Sequence, residues 1–333
     1  MDTRKLGHSG PTASAIGLGC MGMSDFYGPA DRAESIATIH AALDAGVTLL
    51  DTGDFYGMGH NELLIRDALA GRKRDDVLLS VKFGALRDPL RGFNSFDSRP
   101  LAVKNFLTYS LQRLGVDAVD IYRPARLDPA VPIEDTVGAI ADMVKAGFVK
   151  HIGLSEVGSD TIRRAHAVHP IADLQIEYSL LSRGIEHDIL ATCRELGIGI
   201  TAYGVLARGL ISGHWTATSG QQDARAMAPR FQPGNVGANL ALIAPLRAIA
   251  AELGATVAQV VIAWVAAQGQ DIVPLVGARR RDRLTEALGA MNVKLSPAHL
   301  SALAEAFPPG IAKGERYAPA QIIHLDSEKR VSA

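Results

Sequence analysis

The chain reads as an α/β protein closed into a single (β/α)8 barrel, and three observations point there. Short apolar runs alternate with stretches of helical period eight times along the 333 residues. Apolar residues make up 47% and charged residues 21%, which allows a large core and argues against disorder. No pause in the alternation marks a second domain, so closure is favoured over an open doubly wound sheet. Barrels of this kind run to about 250 residues or more as one unit. Residues 1–333 are therefore expected to form one domain, with 307–333 as a C-terminal tail.

Ahead of the main body, 3–6 and 13–16 flank the turn cluster His8-Ser9-Gly10-Pro11 and predict an N-terminal β-hairpin. A first strand at 16–19 precedes a helix over 32–45, capped by Asp31 and stopped by Gly46. Strand 47–50, helix 60–70 with Asn61 and Glu62 near its start, and strand 77–81 follow. Helix 100–114 is opened by Ser98 and Pro100. Strands 118–122, 149–154, 171–176 and 198–202 alternate with helices 134–146, closed by Gly147, 159–168 and 187–196. After the seventh strand a long loop, about 204–237 and rich in Gly, Arg and Pro, breaks the rhythm before helices near 238–253 and 256–268. Strand 271–275 and helix 281–290 complete the eighth unit. The run from Gly17 to Gly22 has the glycine spacing of a dinucleotide-binding loop, but no helix opens directly after it.

Bulk properties exclude several functions. A net charge of −1 gives no general attraction for nucleic acid or an anionic membrane. Two cysteines, Cys20 and Cys193, lie far apart without CxxC spacing, which fits a reducing compartment and predicts no metal site. The N-terminal residues carry no apolar signal region, and tracts such as 257–267 are too short to cross a bilayer. A cytoplasmic protein is expected.

In a barrel the C-terminal strand ends share one mouth. The residues there are Asp51, Lys82, Ala125, Ser155 and Glu156, Gln175, Tyr203 and Gly277. Asp51 and Lys82 each stop an apolar run, and Tyr56 follows five residues after Asp51. A phenol holds its proton near pH ~10, too tightly for efficient donation at neutral pH. A lysine about 4 Å away supplies roughly 4 kcal/mol at an effective dielectric near 20, or up to about three pKa units before desolvation. Tyr56 then becomes a proton donor, with Asp51 holding the Lys82 ammonium in place. A strand-end salt bridge beside an ordinary surface tyrosine is the alternative that the same spacing permits.

The motifs as a set resemble the aldo-keto reductases, from about Lys5 to about Ala306. They are Asp51-Thr-Gly-Asp-Phe-Tyr56-Gly, Lys82-Phe-Gly, Asp128-Pro-Ala-Val-Pro-Ile-Glu-Asp-Thr, Ile152-Gly-Leu-Ser-Glu156, Tyr203 before the long loop, and 277–286. The resemblance implies a barrel that binds NADPH and reduces a small-molecule aldehyde or ketone by hydride transfer. Tyr56 would be the general acid, Lys82 the group acting on its pKa and Asp51 that lysine's partner. The family's usual histidine at the end of the fourth strand is Ala125 here, and alanine cannot donate a hydrogen bond. Three routes stay open: Tyr56 protonates alone or with water, Arg123 or another mouth residue supplies the donor, or the chain is a weakly catalytic NADPH-binding regulatory protein. Similarity to pyridoxal reductases between 155 and 182 makes pyridoxal a candidate substrate.

The same resemblance assigns the cofactor residues. Ser155 and Gln175 match groups that hold the carboxamide, Glu156 standing where many relatives have asparagine. Tyr203 matches the aromatic stacked on the nicotinamide, and packing alone would also place a tyrosine at a strand end. The loop Gly204, Val205, Leu206, Arg208 and Gly209 would wrap the pyrophosphate with backbone N–H groups and a guanidinium. Cys20 and Met21 would lie near the nicotinamide ribose, with core packing as the alternative. Arg279 and Arg283 match the contacts to the 2′-phosphate and Glu286 the contact to the adenine, with Gly277 and Ala278 before them also among the cofactor-binding residues. Arg279 and Arg283, four apart, would share a helix face.

Overall fold

The structure is a computed structural model that describes residues 1–329 apart from 25, 91, 217, 218 and 220–222. The predicted hairpin forms from β1 (Thr3–Lys5) and β2 (Thr12–Ser14), paired antiparallel with Arg4 opposite Ala13. Eight parallel strands then close on themselves in the order β3 (Gly17–Gly19), β4 (Leu49–Gly53), β5 (Leu78–Phe83), β8 (Val119–Pro124), β9 (Val149–Ser155), β10 (Ile171–Glu177), β11 (Gly199–Tyr203) and β12 (Ile272–Gly277). The (β/α)8 barrel is thus the observed fold.

Helices cover the barrel: α1 (Arg32–Asp44), α2 (His60–Leu69), α3 (Pro100–Leu114), α4 (Ile133–Lys145), α5 (Ser159–Val168) and α6 (Ile189–Leu196). Asp31 caps α1 by accepting from the Glu34 N–H, as its position predicts. Ser98 does not open α3; Arg99 is its N-cap without a side-chain bond, and Pro100 sets the first turn. The single helix expected near 238–253 is two, α7 (Pro233–Ala241) and α8 (Ile243–Glu252). They precede α9 (Val257–Ala267), α10 (Arg281–Gly289) and α11 (Pro297–Ala306). Thr256 with Gln259 and Ser296 with His299 form capping boxes at α9 and α11. Among the described residues no single helix is long and apolar enough to cross a membrane.

Three segments expected as loop or tail carry structure. Between β5 and α3, β6 (Ala85–Arg87) and β7 (Phe93–Phe96) pair as a small hairpin beside the mouth. The 204–237 segment contains single turns at Ala207–Gly209, Ala224–Met227 and Pro229–Phe231 and the start of α7; its residues 217, 218 and 220–222 lie outside the described residues. The tail crosses the barrel top, forms α12 (Pro319–Ile322) and docks through Asp326, whose carboxylate accepts from the Gly158 N–H at 3.0 Å.

The barrel interior is graded from apolar to polar. At the bottom, Leu49, Ile121 and Val273 pack with Leu6 and Ala13 beside the hairpin as an apolar plug. Above them a fully buried polar layer begins: Arg123 donates to Ser80 and Asp173, each at 3.0 Å, and Thr201 donates to Asp173. Gly153 makes room for it, because a Cβ there would lie 2.9 Å from Arg123 Nε and 2.6 Å from an Asp173 oxygen. Polar inward positions near the top also explain why β4 and β5 continue past the apolar runs to include Asp51 and Lys82.

Candidate active site at the open end of the barrel

Asp51, Tyr56 and Lys82 meet at the mouth, with 2%, 6% and 4% of their surface exposed. Asp51 and Lys82 are inward residues of neighbouring strands, and the Lys82 ammonium bonds to Asp51 Oδ1. The other carboxylate oxygen accepts from Ser80 Oγ at 2.8 Å and Gln175 Nε2 at 2.7 Å. The ion pair is therefore fixed from three sides, which a buried pair needs to offset its desolvation. Tyr56 enters from the turn after β4: the Asp54 N–H donates to the Lys82 carbonyl at 2.9 Å, and a turn over Tyr56–Gly59 leads into α2. Phe55 meets its ring edge-on at 4.8 Å between centroids.

Lys82 does not hydrogen-bond the phenol. Its Nζ lies 5.2 Å from the Tyr56 ring centroid, and its bond goes to Asp51. Burial pushes the Tyr56 phenol well above its ordinary value and the Asp51 carboxylate adds to this, while the Arg126 guanidinium opposes both. The sign is thus opposite to the lowered phenol that lysine proximity predicts, because desolvation outweighs the nearby cations. Burial likewise lowers the Lys82 ammonium, against the pull of Asp51.

The predicted cofactor residues gather at the same end with unequal freedom. Ser155 Oγ is buried and has no hydrogen-bond partner among the described residues. Gln175 already donates to Asp51. Tyr203 ends β11, and its hydroxyl donates to Glu156 Oε1 at 2.6 Å and meets the Tyr317 hydroxyl at 3.0 Å. Glu156 is spent elsewhere: its carboxylate accepts from Arg316, Tyr203, Ser327 and the Glu177 N–H. Burial raises that carboxyl, but the Arg316 charge and hydrogen bond hold it well below the usual carboxylate range.

The loop after β11 departs from the expected open cradle. Gly204 takes φ +66°, and a Cβ there would stand 2.9 Å from Glu177 Cγ. The N–H groups of Ala207 and Gly209 close turns on Gly204 and Leu206 instead of pointing free. Arg208, at φ +56°, lays its guanidinium 4.2 Å over the Tyr317 ring and 3.7 Å from Glu177. Val205 is buried and Leu206 half-buried.

Further out, Gly277 is exposed with open space where a Cβ would stand, and Ala278 is buried. Arg279 does not share a helix face with Arg283, since α10 starts at Arg281. Arg279 donates to the carbonyls of Tyr27, Gly28 and Pro29, and Arg283 to Glu286, which also meets His214 at 2.8 Å. The Glu34 carboxylate accepts from the Arg281 N–H at the helix start, at 2.9 Å. Cys20 is a core residue with its thiol toward the Leu18 carbonyl, whereas Met21 is half-buried.

Three mouth residues escaped the sequence reading or were left unnamed in it: Arg126, Arg316 and Tyr317. Arg123, the named candidate donor, is wholly buried below the mouth and paired with Asp173. Arg126 instead faces the mouth, its Nη2 donating to the Tyr317 hydroxyl at 3.2 Å. Position alone signalled it, as a cation directly after the strand end at Ala125. Nothing local signalled Arg316, whose partners Glu156 and Glu177 lie 160 and 139 positions away.

Comparison with known proteins agrees with this geometry. The model of the Aldo/keto reductase family matches residues 15–307. The Probable aldo-keto reductase 1 of Glycine max is 41% identical over 317 residues, covering 94% of this chain and 91% of that protein. The glycerol dehydrogenase of Gluconobacter oxydans superposes with a TM-score of 0.84 at 26% identity, over 93% of this chain and 97% of that one. A thermostable aldo-keto reductase crystallised with the inhibitor epalrestat superposes at 0.75 and 27% identity, over 92% and 100% of the two chains. With a matching family model, a relative of this identity and a closed barrel in hand, the chain belongs to the aldo/keto reductase family, nicotinamide-dependent oxidoreductases that act on small carbonyl compounds.

Proposed function

We propose that the protein, acting as one unit, reduces an aldehyde or ketone to the alcohol with NADPH, and that Tyr56 delivers the proton. The observation that carries this reading is the buried Asp51–Lys82 pair beside a buried phenol at the barrel mouth. A bound reduced nicotinamide supplies a hydride to the carbonyl carbon. Tyr56 gives its proton to the carbonyl oxygen, and the Lys82 cation stabilises the tyrosinate left behind until solvent reprotonates it. The high phenol pKa keeps Tyr56 protonated beforehand.

The residues present fit the cofactor. The unpartnered Ser155 hydroxyl carries a cost of about 1–3 kcal/mol that an amide would relieve. Gln175 would assist at the carboxamide, the Tyr203 ring would stack on the nicotinamide, and Cys20 and Met21 would border its ribose through backbone and side chain respectively. Gly204, Val205, Leu206, Arg208 and Gly209 would flank the pyrophosphate. Gly277, Ala278, Arg279 and Arg283 would meet the 2′-phosphate, Glu286 the adenine, and this set favours NADPH over NADH. Pyridoxal is the first substrate to try.

Monitoring NADPH oxidation against a panel of aldehydes that includes pyridoxal tests the reading. Tyr56→Phe is expected to lose reduction by about 10²-fold or more while cofactor fluorescence titration stays unchanged. Equal turnover by that variant would remove Tyr56 from the mechanism. A second reading, a weakly catalytic NADPH-binding regulatory protein, is favoured by the methyl of Ala125 at the strand end where a donor is expected. It predicts negligible turnover by the natural chain and a gain in Ala125→His.

A further inference from the structure

Among the described residues, Arg126, Arg208, Arg225, Arg230 and Arg316 crowd the loops around the mouth, and all of these but Arg126 face a carboxylate. Arg316 pairs with Glu156 and Glu177, Arg208 and Arg230 approach Glu177 at 3.7 Å each, and Arg225 binds Asp223 at 2.6 Å. Arg126 is the exception: among the described residues no carboxylate lies within ion-pair distance of it. Its Nη1 donates to the Ala125 carbonyl at 2.6 Å and its Nη2 to the Tyr317 hydroxyl at 3.2 Å, leaving the rest of the donor fork unused.

The backbone sets where that fork stands. The Ala125 N–H donates to the Phe83 carbonyl at 2.8 Å, so Ala125 and Arg126 leave the barrel wall directly beside the strand end that carries Lys82. Tyr317 ties the guanidinium toward Tyr203 through a second hydroxyl contact at 3.0 Å. A half-buried cation with an incomplete set of partners, next to the strand end of the lysine and within electrostatic reach of the Tyr56 phenol, is placed to receive an oxygen that carries or develops negative charge.

Resting on the Tyr56-centred reduction proposed above, we infer that Arg126 is a catalytic residue: its guanidinium donates a hydrogen bond to the substrate carbonyl oxygen, the role Ala125 cannot fill, and its charge favours release of the Tyr56 proton. No covalent step is added; Arg126 stays protonated throughout. Burial would lower this guanidinium, but the oxygens of Tyr317, Tyr203 and Glu156 raise it, against Arg316. Toward the phenol, Arg126 acts against burial and against Asp51, Tyr317 and Tyr27.

The test uses Arg126→Met and Arg126→Lys in the full chain, with three readouts. Steady-state reduction of the aldehyde panel is expected to fall about 10²–10³-fold in kcat for the methionine variant and less for lysine. Added guanidinium ion is expected to return part of the lost rate to the methionine variant, and NADPH affinity by fluorescence should stay within a factor of about three. Ultraviolet titration, taken as the difference between chains with and without Tyr56→Phe, should move the Tyr56 ionisation upward in Arg126→Met. An unmoved Tyr56 ionisation, or an unchanged kcat, overturns the inference. So does a loss of kcat that guanidinium cannot rescue and that comes with lost NADPH binding, since that marks a structural role. If the natural chain reduces none of the carbonyls, the reading of its function falls and the carbonyl contact of Arg126 falls with it, whereas turnover by the natural chain with an unchanged kcat in Arg126→Met overturns the role of Arg126 alone.

Discussion

Asp54 shows how a single buried group sets a pH dependence at this site. Burial, with the neighbouring Glu62, pushes its carboxyl up to about 8, and its Oδ1 has no hydrogen-bond partner among the described residues. The folded chain holds this proton up to about pH 8, whereas the unfolded chain releases it near pH ~3.9. Its stability contribution is complete below the unfolded value and declines as pH rises through the folded one. Asp54→Asn, which mimics the protonated acid, should therefore raise the melting temperature above about pH 8, by an amount corresponding to several kcal/mol, and leave it unchanged below about pH 4. Thermal denaturation across pH checks this; a variant less stable at high pH would contradict it. At the same scale the sequence exposed Asp51 and Lys82, because a charge closing an apolar run is a local signal. It left the choice between Arg123 and other cations open, since strand alternation sends Arg123 inward and down to Asp173, a contact 50 positions away that no local pattern carries.

Among the elements, the tail is where long-range contact decides most. Arg316 is buried and binds Glu156, Glu177 and Glu328, so the segment after α11 is fastened to the barrel mouth by charge. Arg316→Met would leave two buried carboxylates short of their cation, and should cost about 3–5 kcal/mol and loosen the segment to proteolysis. Adding Glu156→Gln should return part of the stability; additive losses would rule out the pairing. Helix α11 is legible from Ser296-Pro297, a cap followed by proline at the first turn, and is missing from the elements expected from the sequence. The β6–β7 hairpin is not legible, because its strands are short, β7 is largely exposed and neither alternates, so pairing across the turn is their main support. Strand ends at the mouth are hidden in the sequence for a related reason: inward positions near the site are polar, and an apolar run stops before the strand does.

For the whole molecule, eight strand-helix units were legible because each unit writes its own period into the chain, and closure follows from their number. The mouth was less legible, since it is closed by segments far apart in sequence: 26 and 224 meet backbone to backbone at 3.0 Å, and Arg279 reaches the carbonyls of 27–29. In the NADPH complex proposed above, Arg279 would give up those carbonyl contacts for the 2′-phosphate. Replacing Arg279 and Arg283 together with alanine should weaken NADPH by about 10²-fold while NADH changes far less, measured by fluorescence titration; an unchanged preference would remove both from the phosphate site. The most direct test that hydride transfer from the cofactor depends on Tyr56 is isotopic. With NADPH deuterated at the transferring position of C4, the natural chain is expected to form alcohol carrying one deuterium on the former carbonyl carbon, and Tyr56→Phe, still binding the cofactor, to form it about 10²-fold or more slowly. Labelled alcohol formed at equal rates by both chains would contradict it.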